Sequence, residues 1–528
     1  MKSTKNDTID VLIAGAGPAG LMMACQLDRF NITFRIIDKK TSPAHHSGAL
    51  IVHARTMEVF HQLGLAEKAL QAGIIAKTIN FQFNLRKKFV LDVKEIGKGL
   101  TRFSSLLMLE QWQTENLLID FLSKRGHRVE NNTALISFTE ENEKVTSQIL
   151  KPDGAIEFVK SRFLIGADGS NSLVRKQLDI PFSGKTQASR LFITDCQARL
   201  QVPAREISFS FASDFTSGYF PLPENRWRVD GHIPVIQEKE VEFENVRDFL
   251  ASKLHSGIHL HSPQWFSVFR SHSRCAGTFR KSQCFLIGDA AHVHSPVGAQ
   301  GMNTGLQDAH NLGWKLAFFI RGKASDNLLN TFESERRPLA LSIIRSTDMA
   351  YSFMTDSSFL IRFLRLKVVP LLLPMLLSGL QKNLTMRRRI FNSISQIGIK
   401  YKGSIMEDSS SNSFPGSAPK PGDRFPHLTY ETGGQQVALY DALNGPVFYL
   451  LIFGKQFLPA SFQSVMNKYT DVISVIIIEK ESGTLHLFKS LGIQNEGCFL
   501  IRPDHFIAWR CQDFNAKSLE DYLQQFMK

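Results

Sequence analysis

The constraint that shapes this chain most is a glycine motif, Gly15-Ala16-Gly17-Pro18-Ala19-Gly20, set between an apolar strand (Asp10 to Ala14) and a stretch with helical apolar spacing (Leu21 to Phe30). A second strand, Thr33 to Ile37, follows at once and ends on Asp38. Strand, tight turn, helix and strand in this order form a parallel βαβ unit with a right-handed crossover. In such a unit Gly15 permits the turn, Gly17 lets the backbone approach a pyrophosphate, and Gly20 lets helix and strand pack closely. Ala19 shares the turn whose amides face the ligand, and Asp38 can bind a ribose hydroxyl. The motif predicts a dinucleotide site, and it does not by itself distinguish FAD from a nicotinamide dinucleotide.

Two further stretches place an acid where a strand gives way to a turn. Phe285-Leu286-Ile287 breaks at Gly288-Asp289, and Phe163-Leu164-Ile165 runs into Gly166-Ala167-Asp168-Gly169-Ser170, followed shortly by Arg175. Strand tips facing helix N-termini are where polar ligands bind, because backbone N–H groups there lack internal partners. After Asp289 comes Ser295-Pro296-Val297-Gly298-Ala299-Gln300-Gly301, with glycine where the chain must approach a flat ligand and Pro296 where it must hold its shape. Amides of Gly301, Met302 and Asn303 could then face one edge of that ligand. Three strand tips of this kind point to one ligand touched from three segments. Arg55 is a candidate phosphate or flavin contact, with pairing to Glu58 as the alternative. Gln111, at the junction of a strand end and a helix, could reach a cofactor.

Composition bounds the rest. The chain has 528 residues, 43% hydrophobic and 21% charged, enough for roughly three globular domains with a sizeable core. Six dispersed cysteines without a CxxC predict reduced thiols, no disulfide framework and no metal site, as in a cytoplasmic protein. The N-terminus leads through one strand-length apolar run into the glycine motif, which predicts no signal peptide. Net charge is +13, and residues 351–400 hold eight Lys/Arg against one acid, Asp356. No nucleic-acid module accompanies that charge, so a solvated basic helical face is expected. Within it, the uncharged run Val368 to Leu377 is about half the roughly 20 residues a spanning helix needs and contains Pro370 and Pro374. It does not span, and a peripheral lipid contact is the alternative to helix packing and homodimer formation.

The chain resembles the single-component flavin aromatic hydroxylases, in the branch of the pentachlorophenol, phenol, resorcinol and polyketide hydroxylases. The motifs that carry the resemblance are Gly15–Gly20, HARTME at His53–Glu58, GADGSNSLVR at Gly166–Arg175, PLPENRWRVDG at Pro221–Gly231 and GDAAHVHSPVGAQGMNTGLQDAHNLGWKLA at Gly288–Ala317. The resemblance implies an α/β fold: a discontinuous Rossmann-like FAD-binding domain (1–180 and 281–345) with an inserted mixed β-sheet substrate domain (181–280). A helical segment (346–408) and a thioredoxin-like domain without CxxC (414–528) complete it, with a packing or dimerising role for the latter. Half-buried alternation in Ile207 to Phe211 and Trp227 to Asp230 agrees with the inserted sheet, whose aromatic inner face would wall a dry pocket or serve only as sheet core. Strands are expected at Val447 to Phe453 and Val472 to Ile478, after a Ser-rich linker near Ser409 to Ser417.

The resemblance further implies that Gly15, Gly17, Ala19 and Gly20 hold the FAD pyrophosphate, Asp38 the adenosine ribose and Asp289 the ribityl chain. Pro296, Gly301, Met302 and Asn303 would serve the pyrimidine edge, Arg55 and Gln111 would contact the cofactor, and Asp168 and Arg175 would serve FAD and transient NAD(P)H. The implied reaction is hydroxylation of a small phenolic or polyketide-like aromatic substrate with NAD(P)H and O2, through a C4a-hydroperoxyflavin. No catalytic side chain is assigned; His53, His232 and His294 are conceivable bases or structural groups. Two positions depart from the family pattern: Ala299 where relatives often have glycine, and Gly48 where many have arginine. A flavin halogenase would carry a WxWxIP segment, which is absent. A non-catalytic FAD-binding interaction protein is the rival from another class, distinguished by the absence of substrate-stimulated NADPH oxidation.

Overall fold

The computed structural model describes residues 8–42, 48–84, 87–199, 205–233, 241–254, 259–403, 414–432, 434–512 and 515–528; residues 409–413 of the expected Ser-rich linker lie outside them. Strand β1 (Ile9–Ala14) enters helix α1 (Pro18–Arg29) and returns as β2 (Phe34–Ile37). Val11, Leu12 and Ile13 are fully buried, as expected for a parallel strand covered on both faces. The chain then leaves for a second sheet, contributing β3 (Thr78–Phe83) and β4 (Lys87–Asp92), and comes back through helix α2 (Gln111–Ser123) to β5 (Ile156–Gly166).

A long excursion builds the rest of the second sheet: β6 (Phe182–Arg199), β7 (Glu206–Phe211), β8 (Thr216–Pro221), β9 (Arg226–Ile233) and β10 (His259–Ala276). Strand β11 (Cys284–Leu286) then rejoins the first sheet, and helices α3 (Gly301–Ile320) and α4 (Asp326–Thr355) follow. The first sheet runs β11-β5-β1-β2 at its centre, all parallel. The second runs β10-β6-β9-β8-β7-β3-β4. Its last two strands come from the segment that sequence order placed in the first domain. The alternating TINFQF pattern of β3 can pair in either sheet, and in the structure it joins β7 in parallel. The second sheet is therefore wider than 181–280.

Two short helical stretches, α5 (Phe359–Phe363) and α6 (Val369–Lys382), lead away from α4. No helix among the described residues is long and apolar enough to cross a membrane. The C-terminal unit holds β12 (Phe448–Phe453), β13 (Ile473–Ile478), β14 (Gly497–Ile501) and β15 (Ile507–Cys511) in the order β13-β12-β14-β15. β12 and β13 are parallel, and the last two strands are antiparallel. The six cysteines are free and buried.

Buried charges fasten this unit to the rest. Arg502 pairs with Glu335 of α4 at 2.6 Å and with Asp504 at 2.6 Å, and Glu335 also takes Lys315 of α3 at 2.7 Å. Arg424 reaches Glu58 at 3.1 Å, and Arg55 donates to the Asp504 carbonyl at 2.6 Å. Removing one partner from such a set leaves an uncompensated charge away from water, which is costly.

Candidate functional site

Register brings the strand tips to one edge. Ala14 lies beside Ile37 on one side and Gly166 on the other, and Gly166 lies beside Leu286. Asp38, Gly15, Asp168 and Asp289 therefore follow the carboxyl ends of four adjacent parallel strands, where open α/β sheets bind ligands. Gly15 turns with φ +106°, and a Cβ on it would sit 2.3 Å from the Ala167 carbonyl oxygen. A Cβ on Gly20 would lie 1.9 Å from the Gly15 oxygen, so helix α1 can seat on the turn only with glycine there. Around Gly17 the reverse holds: a Cβ would meet nothing within 4 Å. Open space above a turn, at a helix start with no side-chain cap, is room for a ligand phosphate. Ala19 packs its methyl toward Gly288, drawing the β11 tip against α1.

The Asp38 carboxylate accepts from the Ala16 and Lys40 amides at 2.6 and 2.8 Å. It lines a cavity of about 590 Å³ with Ala16, Lys40, Glu115, Asn116 and Ile119. Gln111 does not line that cavity; its amide donates to Glu115 at 2.9 Å and orients a carboxylate that does. Burial raises the Glu115 carboxyl. A larger hollow of about 750 Å³ lies beside Phe243, Phe266 and Val268, and none of the residues that follow the strand tips lines it.

Asp168 uses one oxygen to accept the Leu173 and Val174 amides and leaves the other, Oδ1, buried without a partner. Arg175 donates to the Ala290 and Ser170 carbonyls at 2.8 and 2.7 Å, bracketing two strand tips together. With two of its nitrogens on backbone carbonyls and its guanidinium over Phe182, it braces the two loops beside Asp168. Asp289 is exposed at its surface, yet the protein atoms packed around its carboxyl withdraw it from bulk water and raise it. Its loop is set by a group that sequence reasoning missed: Asp308 of α3 accepts the Gly288 amide at 3.1 Å, His292 at 2.8 Å and Arg336 at 2.7 Å. Nothing local in the sequence signals that cluster.

Helix α3 begins at Gly301 without a side-chain cap, so its first-turn amides at Gly301, Met302 and Asn303 are free for a polarised ligand edge. The preceding turn is closed by the Ala299 amide on the Pro296 carbonyl at 2.9 Å. Ala299 itself has φ +52°, the left-handed backbone that glycine adopts freely. The Asn303 side chain fixes the turn: its oxygen accepts the His53 amide and Thr56 hydroxyl, and its nitrogen donates to the Ile51 and Ala299 carbonyls. Arg55 is buried, pairs with Glu58 at 2.9 Å and donates to the Asp504 carbonyl of the C-terminal unit at 2.6 Å.

The second sheet meets this edge through Arg226 and Arg228. Arg226 pairs with Glu110 at 3.0 Å; Arg228 pairs with Asp195 at 2.7 Å and donates to the Gly48 carbonyl at 3.1 Å. Arg228 of β9 thus stands beside Gly48. One rung along, Phe81, Phe209, Gly218, Asp230, Ile193 and Ser267 stand in direct register and so share one face of the sheet. Phe81 and Phe209 are stacked at 6.0 Å, and Phe220 meets Phe209 edge-on at 5.6 Å. Gly218 leaves a gap in this aromatic face, and the Asp230 carboxylate lies over it: a Cβ there would be 2.5 Å from Oδ1. Burial pushes Asp230 up to about 7, against the lowering effect of Arg228 and the Gly218 amide. His53, His232 and His294 are each brought to about 4, chiefly by burial, and are weak proton acceptors. Asp230 was not singled out from sequence, because only the register shows which face it occupies.

Comparison with known proteins gives this geometry a family. Residues 8–347 match the model described as FAD binding domain, and residues 418–528 match that described as aromatic-ring hydroxylase, C-terminal. The 6-methylpretetramide 4-monooxygenase of Streptomyces rimosus is 33% identical over 539 residues, covering 98% of this chain and 93% of that one. The solved anhydrotetracycline hydroxylase OxyS of the same organism superposes with a TM-score of 0.79 at 28% identity, covering 98% of this chain and 99% of that one. The flavin-dependent monooxygenase PieE shares the fold, with a TM-score of 0.83 at 22% identity over 99% of this chain and 100% of that one. Free amides at two helix starts, the space over Gly17 and the unpartnered Asp168 oxygen all fit a bound flavin dinucleotide. The chain belongs to the FAD-dependent aromatic-ring hydroxylases and is a flavin-dependent monooxygenase.

Proposed function

We propose that this monooxygenase hydroxylates a phenolic, polyketide-like aromatic ring, consuming NAD(P)H and O2 and releasing NAD(P)+ and water. The observation that carries the reading is the set of four parallel strand tips at one edge of the first sheet, together with an aromatic face on the second sheet, whose Arg228 donates to the Gly48 carbonyl. In this assignment Gly15, Gly17, Ala19 and Gly20 surround the FAD pyrophosphate with backbone, and Asp38 takes the adenosine ribose. Asp289 takes the ribityl chain, and the turn from Pro296 through Gly301, Met302 and Asn303 takes the pyrimidine edge. Bound FAD supplies hydride acceptance from NAD(P)H and activation of dioxygen.

The residues of the chain orient the partners and exclude water. In this assignment the substrate ring stacks on the face formed by Phe81, Phe209 and Phe220. Asp230 would accept the proton of the substrate hydroxyl at a carboxylate oxygen, making the ring more electron-rich. Two relatives are named for action on 6-methylpretetramide and on anhydrotetracycline, which supports a substrate of that class here. The domain division follows: residues of the first sheet bind FAD, the second sheet covers the substrate, and the C-terminal unit is thioredoxin-like without redox thiols. Its βαβ unit followed by an antiparallel pair and a terminal helix supports that last assignment.

Screening phenolic polycycles for stimulated NADPH oxidation, with mass spectrometry for a product heavier by one oxygen, tests the reading. A substrate that stimulates oxidation with no oxygenated product would refute it. Asp230→Asn is expected to lower kcat about 100-fold or more. A carboxyl raised to about 7 is protonated below that pH, so kcat/KM should rise with pH through it in the native enzyme. The variant should lose that rise; an unchanged rate and pH profile in Asp230→Asn would remove this carboxylate from the chemistry.

A further inference from the structure

The described residues between Phe359 and Leu384 expose an unusual amount of apolar surface. Phe359 is 76% exposed, Leu371 73% and Met375 68%, with Leu360, Phe363 and Leu376 also exposed. Monomeric proteins rarely leave contiguous apolar patches of this kind unless something covers them. On α6, Leu371, Leu372, Met375 and Leu376 repeat at helical spacing and form one outward face. The same segment carries the exposed cations Arg362, Lys367, Lys382, Arg388 and Arg389, and residues 351–400 contain a single acid, Asp356.

We propose that this face docks on an anionic lipid bilayer, its apolar residues entering the headgroup boundary and its cations meeting lipid phosphates. Charge decides between this occupant and a second copy of the chain. A two-fold self-contact sets the same patch against itself, which here places a strongly basic segment against an equally basic one. An anionic surface complements both features at once. The docked state is peripheral, because no described helix is long and apolar enough to cross the membrane and Pro370 and Pro374 interrupt the apolar run.

The patch is rigidly held. Arg365 donates to the Phe353, Met354 and Asp356 carbonyls at the end of α4, and the Thr216 hydroxyl of β8 donates to the Met354 carbonyl. Helix α6 also packs on β4, the edge strand of the second sheet. Docking through the outward face would therefore leave α6 between the lipid surface and the edge of that sheet, with no unfolding of the helices.

Co-sedimentation of the FAD-loaded full chain with vesicles tests the proposal. The protein should sediment with phosphatidylcholine and phosphatidylglycerol in a roughly 2:1 ratio, and about tenfold less with phosphatidylcholine alone or at high salt. The triple substitution Phe359→Ser, Leu371→Ser, Met375→Ser should abolish binding without changing flavin content or melting temperature. Arg388→Glu with Arg389→Glu should weaken binding while leaving every apolar residue in place. No sedimentation with the anionic vesicles at low salt would overturn the proposal. So would binding that neither variant reduces, or a wild-type dimer that the triple substitution converts to monomer while vesicle binding is absent.

Discussion

Gly20→Ala is expected to yield a protein that retains no FAD. The added Cβ would stand 1.9 Å from the Gly15 carbonyl oxygen, a backbone atom of the tight turn that cannot swing aside. Either α1 lifts from the turn or the turn opens, and both displace the amides that face the pyrophosphate. Overpacking of this kind costs about 1–3 kcal/mol, so the apoprotein should also melt earlier. Gly17→Ala separates the two effects. Its backbone is extended (φ −72°) and its Cβ meets no protein atom within 4 Å, so the fold should be unaffected. FAD affinity should still fall by about tenfold or more, since roughly 1.4 kcal/mol of lost contact suffices for that. Fluorescence titration with FAD and thermal melting of both variants check the pair. An unperturbed affinity in Gly17→Ala would mean that the pyrophosphate lies elsewhere.

Arg502→Ala is expected to produce the largest loss of stability of any single change in the C-terminal unit. Arg502 holds Glu335 and Asp504, all three without access to water, and Lys315 cannot neutralise both acids alone. Leaving buried carboxylates uncompensated costs about 3–5 kcal/mol. The same cluster sets a pH dependence. Glu335 is held down to about 2: burial opposes its ionisation, and the attraction of Arg502 and Lys315 overcomes that opposition. Asp504 is likewise lowered, with Arg502 overcoming its burial. A depressed carboxyl stabilises the fold fully above its unfolded value of about 4.3, and that stabilisation is lost as pH falls towards the folded value. Acid titration should therefore weaken the docking of the C-terminal unit between about pH 4.3 and 2. Arg502 lies over the Trp314 ring at 5.1 Å, so tryptophan fluorescence should report the change, and in Arg502→Ala it should begin at higher pH. A variant melting within a degree or so of the native protein would show that the cluster contributes little net stability.

What could be read from sequence was what acts through the backbone of a few consecutive residues. The βαβ unit, the strand ends before Asp38, Asp168 and Asp289, and the strands at 448–453 and 473–478 all stand where turn chemistry and apolar runs place them. Side-chain partnerships were not legible, because they join distant segments. Arg55 and Asp504 are 449 residues apart in the chain, and only the folded structure shows that the arginine serves that contact. Arg175 braces Ala290 and Ser170 for the same reason. Asp308 gathers Gly288, His292 and Arg336 from three elements, and no spacing rule connects them. The face occupied by Asp230 depends on strand register, and the recruitment of β3 into the second sheet depends on which partner strand is free.

A crystal structure of the FAD complex tests the central claim most directly. The account places adenosine in the cavity beside Asp38 and Glu115, the pyrophosphate over Gly17, and the pyrimidine edge at the amides of Gly301, Met302 and Asn303. It further places the reactive face of the ring toward Phe209 and Asp230. Density for the flavin anywhere other than along the tips of β2, β1, β5 and β11, or with its ring turned away from the second sheet, would contradict it.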